Sequence, residues 1–172
     1  MIKSKNKDFI DKIKDRATRS LKVEEVYLNG KFYFETMNYL QKQKYLKFSS
    51  INKVLENNFI SGYPLGYIIT NESKTIVGFM GTIYSKRNFN NQEYIYCNIH
   101  TWIVDEAYRI NSFLLLTPLI NQKITLTAFT PVTSLLGLLE KFDFQTIKIK
   151  HKIVYLFNFL ISKNSDYSIE KD

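Results

Sequence analysis

The spacing of apolar positions changes several times along the chain, and each change marks an element. Over residues 5–18, Phe9, Ile10, Ile13 and Ala17 recur near helical spacing among charged residues, which predicts a short amphipathic helix. KVEEVYL (22–28) mixes apolar Val23, Val26 and Leu28 with polar residues in the manner of a strand, and Asn29-Gly30 is a turn signal. Residues 32–47 carry Phe34, Met37, Tyr39, Leu40 and Tyr45 with lysines between them and read as a helix. SSINKVLENNF (49–59) reads as a further helix, with Ser49 or Ser50 as N-cap and with Gly62 and Pro64 closing it.

The central third has a β pattern. LGYIIT (65–70), the turn NESK (71–74) and TIVGFMGTIYSKR (75–87) predict an antiparallel hairpin. A polar loop, NFNNQ (88–92), leads into a third strand, EYIYCNIHTWIV (93–104), and completes a meander. Beyond Val104 helix and strand alternate: Phe113–Ile120 is helix-like and KITLTAF (123–129) is a strand. TPVTSLLGLLEKF (130–142) opens with Thr130 as cap and Pro131 at the first helical position. FQTIKIKHKIVYLFNFLI (144–161) is a closing pair of strands or one long bent strand. The order β, α, α, βββ, αβαβ(β) has no repeat and no linker. It predicts one mixed α/β domain (1–172) with a mostly antiparallel central sheet flanked by helices, a helical extension at 1–20 and a frayed tail at 162–172.

Composition narrows the partners more than the fold. Hydrophobic residues make up 45% of the 172 and aromatics 15%, enough for a real core. The net charge of +8 suits an acidic partner: nucleic acid, anionic lipid, a phosphorylated cofactor or an acidic protein. The lysines are spread along the chain, so no compact basic patch or RNA-binding motif emerges. The single cysteine, Cys97, makes no internal disulfide and no Cys-based metal site, so no metal is expected. The charged N-terminus has no signal-peptide core, and no apolar run approaches the ~20 residues of a membrane span. A soluble cytoplasmic protein is the expectation.

GYIITNESKTIVGFMGTIY, WIVDEAYR (102–109) and LLEKFDF (138–144), in this order and spacing, resemble the GNAT superfamily of acyl-CoA N-acyltransferases over roughly residues 20–155. GYIITNESKTIVGFMGTIY is similar to the family's strands two and three. WIVDEAYR is similar to the end of its fourth strand and the loop after it, often Val-x-Pro-x-Tyr-Arg. LLEKFDF is similar to the end of its fourth helix, commonly Leu-Tyr-Glu-Lys-x-Gly-Phe. A narrower similarity, to small acyltransferase-like proteins of bacterial polysaccharide clusters, implies an amino sugar or nucleotide sugar as acceptor. The resemblance implies fourth and fifth strands that splay around a pantetheine arm, with the pyrophosphate on backbone amides before the third helix. The implied donor is acetyl-CoA or another acyl-CoA, or an acidic acyl-carrier protein. Backbone groups of Trp102 and Val104 would pair with the arm, and Arg109, Ile110, Asn111 and Ser112 would surround the pyrophosphate. Thr130 falls on the cofactor side, where it could equally serve only as a helix cap.

The chain departs from that pattern at several places. Ser112 and Leu114 stand where the pyrophosphate loop has glycines, which let backbone approach a phosphate. Pro118 lies inside any helix that starts at Phe113; if the helix starts at Thr117, residues 110–116 form an irregular loop. Leu139 holds the position of a tyrosine general acid, and Asp143 that of the Gly in Gly-Phe. Period 2 puts Asn98, His100, Trp102 and Val104 on one face of the strand and Cys97 on the other, in the core. Serotonin N-acetyltransferase-like members carry a histidine at the place of His100, which implies a general base; on its own, a lone histidine is a hydrogen-bonded core residue. Tyr108 is a surrogate acid or a packing residue. Three functions fit: acyl transfer from a thioester to an amine or hydroxyl of a small molecule, a catalytically degenerate binding or assembly module, and a tRNA- or RNA-directed acyltransferase. The oligomeric state is open, a dimer being compatible.

Overall fold

In the computed structural model, residues 21–44, 46, 53, 55, 60–120, 122–129 and 131–147 are described. The expected helix at 5–18, the tail, the closing strands beyond Ile147 and most of the helix at 49–59 lie outside them; of that last helix, Lys53 and Leu55 are helical. Five strands form one sheet in the order β1 (Lys22–Val26), β2 (Gly66–Thr70), β3 (Ile76–Phe89), β4 (Gln92–Val104) and β5 (Thr125–Thr127). The first four are antiparallel neighbours, and β5 pairs with β4 in parallel. The expected mixed, mostly antiparallel sheet flanked by helices is therefore the architecture found.

Local chemistry explains the links. The β2–β3 turn is closed by Asn71, whose backbone N–H donates to the Thr75 carbonyl and whose Oδ1 accepts from the Thr75 N–H, both near 3 Å. The expected five-residue loop at 88–92 is instead a turn on Asn90 and Asn91, with φ of 51° and 60°. Asparagine tolerates that left-handed region, and two such residues in succession match the right-handed twist of a long hairpin. Asn91→Gly is expected to raise stability by a few tenths of a kcal/mol, since glycine meets no Cβ penalty there; a urea midpoint that does not rise rejects this account of the turn.

Helices cover both faces of the sheet. On one face, α1 (Tyr33–Gln41) brings Leu40 and Met37 onto Val26, Ile68 and Phe79. On the other, Tyr67, Ile69, Met80, Tyr84, Cys97 and Ile99 meet a 3-10 helix (Glu106–Leu116), the short α2 (Thr117–Ile120) and α3 (Thr133–Lys141). No helix among the described residues is long and apolar enough to cross a membrane.

The start of α3 differs from the sequence expectation. α3 begins at Thr133, two residues after Pro131, with an extended Val132 (φ −68°, ψ 148°) at its N-cap and no side-chain cap. Nothing in the structure explains the late start. Its end is well determined. Asp143 adopts φ 61°, its N–H donates to the Glu140 carbonyl, and the Phe144 N–H reaches back to Leu139. This is the two-bond glycine-type helix stop, here built with an aspartate.

Candidate active site

β4 is not regular. Phe79 pairs with Ile103 but Gly81 pairs with His100, so β4 spends one residue more than β3 across that step. The extra residue is a bulge at Thr101, whose φ is +45°. A bulge reverses side-chain parity beyond it. Cys97 and Ile99 before it, and Trp102 and Val104 after it, all lie with the cluster that holds the 3-10 helix and α3. Asn98, His100, Trp102 and Val104 therefore do not share a face, as strict period 2 would have it. His100 points with Gly81 and Phe79 to the side covered by α1.

β4 also loses its parallel neighbour near the same point. It pairs with β5 only from Tyr96 to Asn98, where the Thr127 hydroxyl donates to Asn98 Oδ1 at 3.3 Å. Beyond that pair an open cleft of about 800 Å³ lies between the end of β4 and α3. Trp102, Val104, Arg109, Ile110 and Ser112, all expected on the cofactor side, line it. Apolar groups absent from the sequence expectation complete the walls: Phe113 from the 3-10 helix, and Val132, Leu135 and Leu138 from α3 and its approach. Tyr108 and Asn111 are not among the lining residues. Tyr108 is partly buried and packs against the core cluster. Thr130 lies outside the described residues.

The segment after β4 is neither an α-helix from Phe113 nor an irregular loop at 110–116. It is a continuous 3-10 helix, far longer than the few residues usual for that form. Pro118 explains how it ends. Proline has no N–H to give the Leu114 carbonyl, which an α-helix would require. The Leu114 oxygen is taken instead by the Thr117 N–H and by the Thr117 hydroxyl, the latter at 2.7 Å. Pro118 then sits in the first turn of α2, where a missing donor does little harm. Leu114 is only 3% exposed, so the residue at the later of the two glycine positions faces the core.

Asp105 and Glu106, which head the 3-10 helix, also line the cleft. The Tyr39 hydroxyl donates to Asp105 Oδ1 at 2.9 Å and ties α1 to the end of β4. Burial, reinforced by that carboxylate, pushes the Tyr39 phenol well above the usual tyrosine range, so it remains a donor at neutral pH. Tyr39→Phe leaves a half-buried carboxylate without its partner and is expected to cost about 1–2 kcal/mol, read as a lower urea midpoint. An unchanged midpoint would show that water replaces the phenol without loss.

His100 is set in the sheet, with its ring against Gly81. Nδ1 lies 2.9 Å from the Thr101 hydroxyl, and Nε2 is buried with no hydrogen-bond partner. Burial lowers its pKa from 6.5 to about 4, so the ring is neutral at pH 7. Trp102 Nε1 is likewise buried and unpartnered. Two other candidate groups are accounted for by packing. Leu139, at the tyrosine position, is 4% exposed and fills the core. The Cys97 thiol is fully buried, and burial pushes it up to about 12, which removes it as a nucleophile at neutral pH. Among the described residues no group of three or more His, Cys, Asp or Glu side chains could hold a metal ion.

No family model and no curated protein matches the chain. Solved structures do share its fold. An acetyltransferase from Trypanosoma brucei aligns with a TM-score of 0.54 at 14% identity, over 78% of this chain and 99% of its own. The glucosamine-6-phosphate N-acetyltransferase of Arabidopsis thaliana gives 0.51 at 14% identity, over 78% of this chain and 98% of its own. An aminoglycoside acetyltransferase from an uncultured soil metagenomic sample gives 0.51 at 16% identity, over 79% and 99%. These likenesses show that the chain shares the fold of those acetyltransferases, a mostly antiparallel sheet with helices on both faces.

Proposed function

We propose that this protein transfers an acyl group from a thioester donor to an amine, with the donor's arm in the cleft and the acceptor on the α1 side of β4. The observation that carries this reading is the coincidence of bulge and splay. Past Asn98 the outer edge of β4 has no strand partner among the described residues, which supports its use by an extended chain between Ile99 and Val104, as in strand addition. The apolar walls from Trp102, Leu135 and Leu138 suit an alkyl arm. At the same point the bulge turns His100 away from the cleft, toward the side from which an acceptor would come.

The chemistry asks little of the protein beyond position and one proton acceptor. The amine must arrive neutral to attack the acyl carbon. Once the C–N bond forms, its N–H becomes strongly acidic, and a weak base suffices to take the proton. The C–S bond then breaks, and the sulfur leaves as a thiolate that takes a proton from water. His100 is proposed as the base that takes the nitrogen's proton, through Nε2, directly or through a water. Its neutral form at pH 7 keeps the lone pair ready, and its low pKa makes it a recipient for an acidified nitrogen rather than for a free ammonium. Two fold neighbours are by name acetyltransferases of glucosamine-6-phosphate and of aminoglycosides, which supports an amino sugar as acceptor. A lone cysteine and a reaction on small molecules suit the cytoplasm.

The test is a mass-spectrometric assay of acetyl transfer from a thioester to a panel of amino sugars. A product above the uncatalysed rate is expected, with a loss of about 100-fold or more in His100→Ala. Another reading, a binding module that keeps the fold without the chemistry, is favoured by Leu139, which fills the core where the family resemblance has a tyrosine acid. A thioester that binds with no product across the panel would select it.

A further inference from the structure

We infer that the cleft recognises the donor by its pantetheine arm alone, and that the adenosine phosphates of coenzyme A gain nothing from this protein. The inference rests on the proposed thioester reading and narrows its donor. A diphosphate at the head of a helix needs free amides, close backbone and positive charge. The 3-10 helix removes the first. The bonds that define it run from an N–H to the carbonyl three residues before, so the segment over Arg109 to Ser112 is curled on itself rather than laid open as a loop. The bond from the Tyr108 N–H to the Asp105 carbonyl, at 2.8 Å, begins the series.

The head of this helix, at Glu106 and Ala107, lies beside the carboxylates of Asp105 and Glu106, which line the cleft. The charge is therefore of the wrong sign where a pyrophosphate would approach. Among the described lining residues Arg109 is the single cation, against those two carboxylates. Backbone approach fails as well, because the glycine positions carry Ser112 and the core residue Leu114. Two of the exposed lining groups are large and apolar: Ile110 is 84% exposed and Val132 67%. A surface of this kind fits an uncharged pantetheine chain and leaves phosphates in water. The donor is then a pantetheine thioester without the nucleotide, either a free small thioester or one borne on a carrier protein.

Calorimetric titration of the full 172-residue chain with three reduced probes tests this: coenzyme A, pantetheine and adenosine 3′,5′-bisphosphate. Each phosphate held by charge-assisted hydrogen bonds adds about 10- to 100-fold in affinity. Coenzyme A and pantetheine are expected to bind within about tenfold of each other, the bisphosphate not to compete, and salt to leave both affinities unchanged. Coenzyme A binding more than about 100-fold tighter than pantetheine, with a salt-dependent affinity, overturns the inference and leaves the acyltransfer reading standing. Binding of neither coenzyme A nor pantetheine overturns both. A holo-carrier protein that outbinds pantetheine by more than about tenfold identifies a carrier-borne arm, and equal binding identifies a free thioester; either supports the inference.

Discussion

Gly81→Ala is expected to destabilise the protein by about 3 kcal/mol, the upper part of the range for overpacking a filled interior. A Cβ on Gly81 would lie 2.5 Å from Nε2 and 2.8 Å from Nδ1 of His100, inside the space of the ring. The imidazole has little room to yield. It is held at one nitrogen by Thr101, and its backbone is pinned by the pairing of β4 to β3. The substitution must either part the strands at the bulge or expel the ring, and both disturb the point where the cleft opens. The double variant Gly81→Ala/His100→Ala removes the clash, so most of the loss should return, giving a large coupling energy between the two sites. Urea unfolding at unchanged slope reads both quantities. A single variant within about 0.5 kcal/mol of wild type, or a double variant no better than the single, would show that the ring does not occupy that space in solution.

Much of this arrangement is legible in the chain. The strand runs of the meander and the alternation after Val104 follow from apolar period alone, and they suffice for a mixed, mostly antiparallel sheet. Trp102, Val104, Arg109, Ile110 and Ser112 reach one cleft because they are close in sequence around the end of a strand. The α3 wall is less legible. Val132, Leu135 and Leu138 carry a helical period that reads equally as core, and which apolar stripe faces a groove depends on how far β5 leans from β4. The parity of His100 escapes the sequence for a different reason. The bulge sits on Thr101, a β-branched residue with positive φ, and nothing in HTWIV announces it where a glycine would have. Pro118 does announce that an ordinary helix from Phe113 would fail. Its outcome, a 3-10 helix rather than a loop, depends on Thr117 being able to satisfy the Leu114 carbonyl with two donors.

Acidification should unfold this protein earlier than a variant without His100, and the sign follows from burial. In the folded state the His100 pKa is about 4, against 6.5 for the free side chain, because desolvation disfavours the imidazolium. Between those values the unfolded chain binds a proton that the folded chain refuses, so stability falls as pH falls. The contribution is fully present above pH 6.5 and is lost progressively toward pH 4, amounting to about 3 kcal/mol over the whole window and about 2 kcal/mol by pH 5. The check is a pair of urea-unfolding series from pH 7.5 to 5, wild type against His100→Gln. The glutamine cannot titrate, so the wild-type curve should drop away from it as pH falls through 6.5. Carboxylates are common to both proteins and cancel in the difference. Parallel curves would mean that the folded and unfolded chains take up this proton alike, so that burial does not hold His100 neutral below pH 6.5. That result would also recast its chemistry, from an acceptor that stays neutral on the acceptor side of β4 to an imidazole that gains charge as pH falls below 6.5.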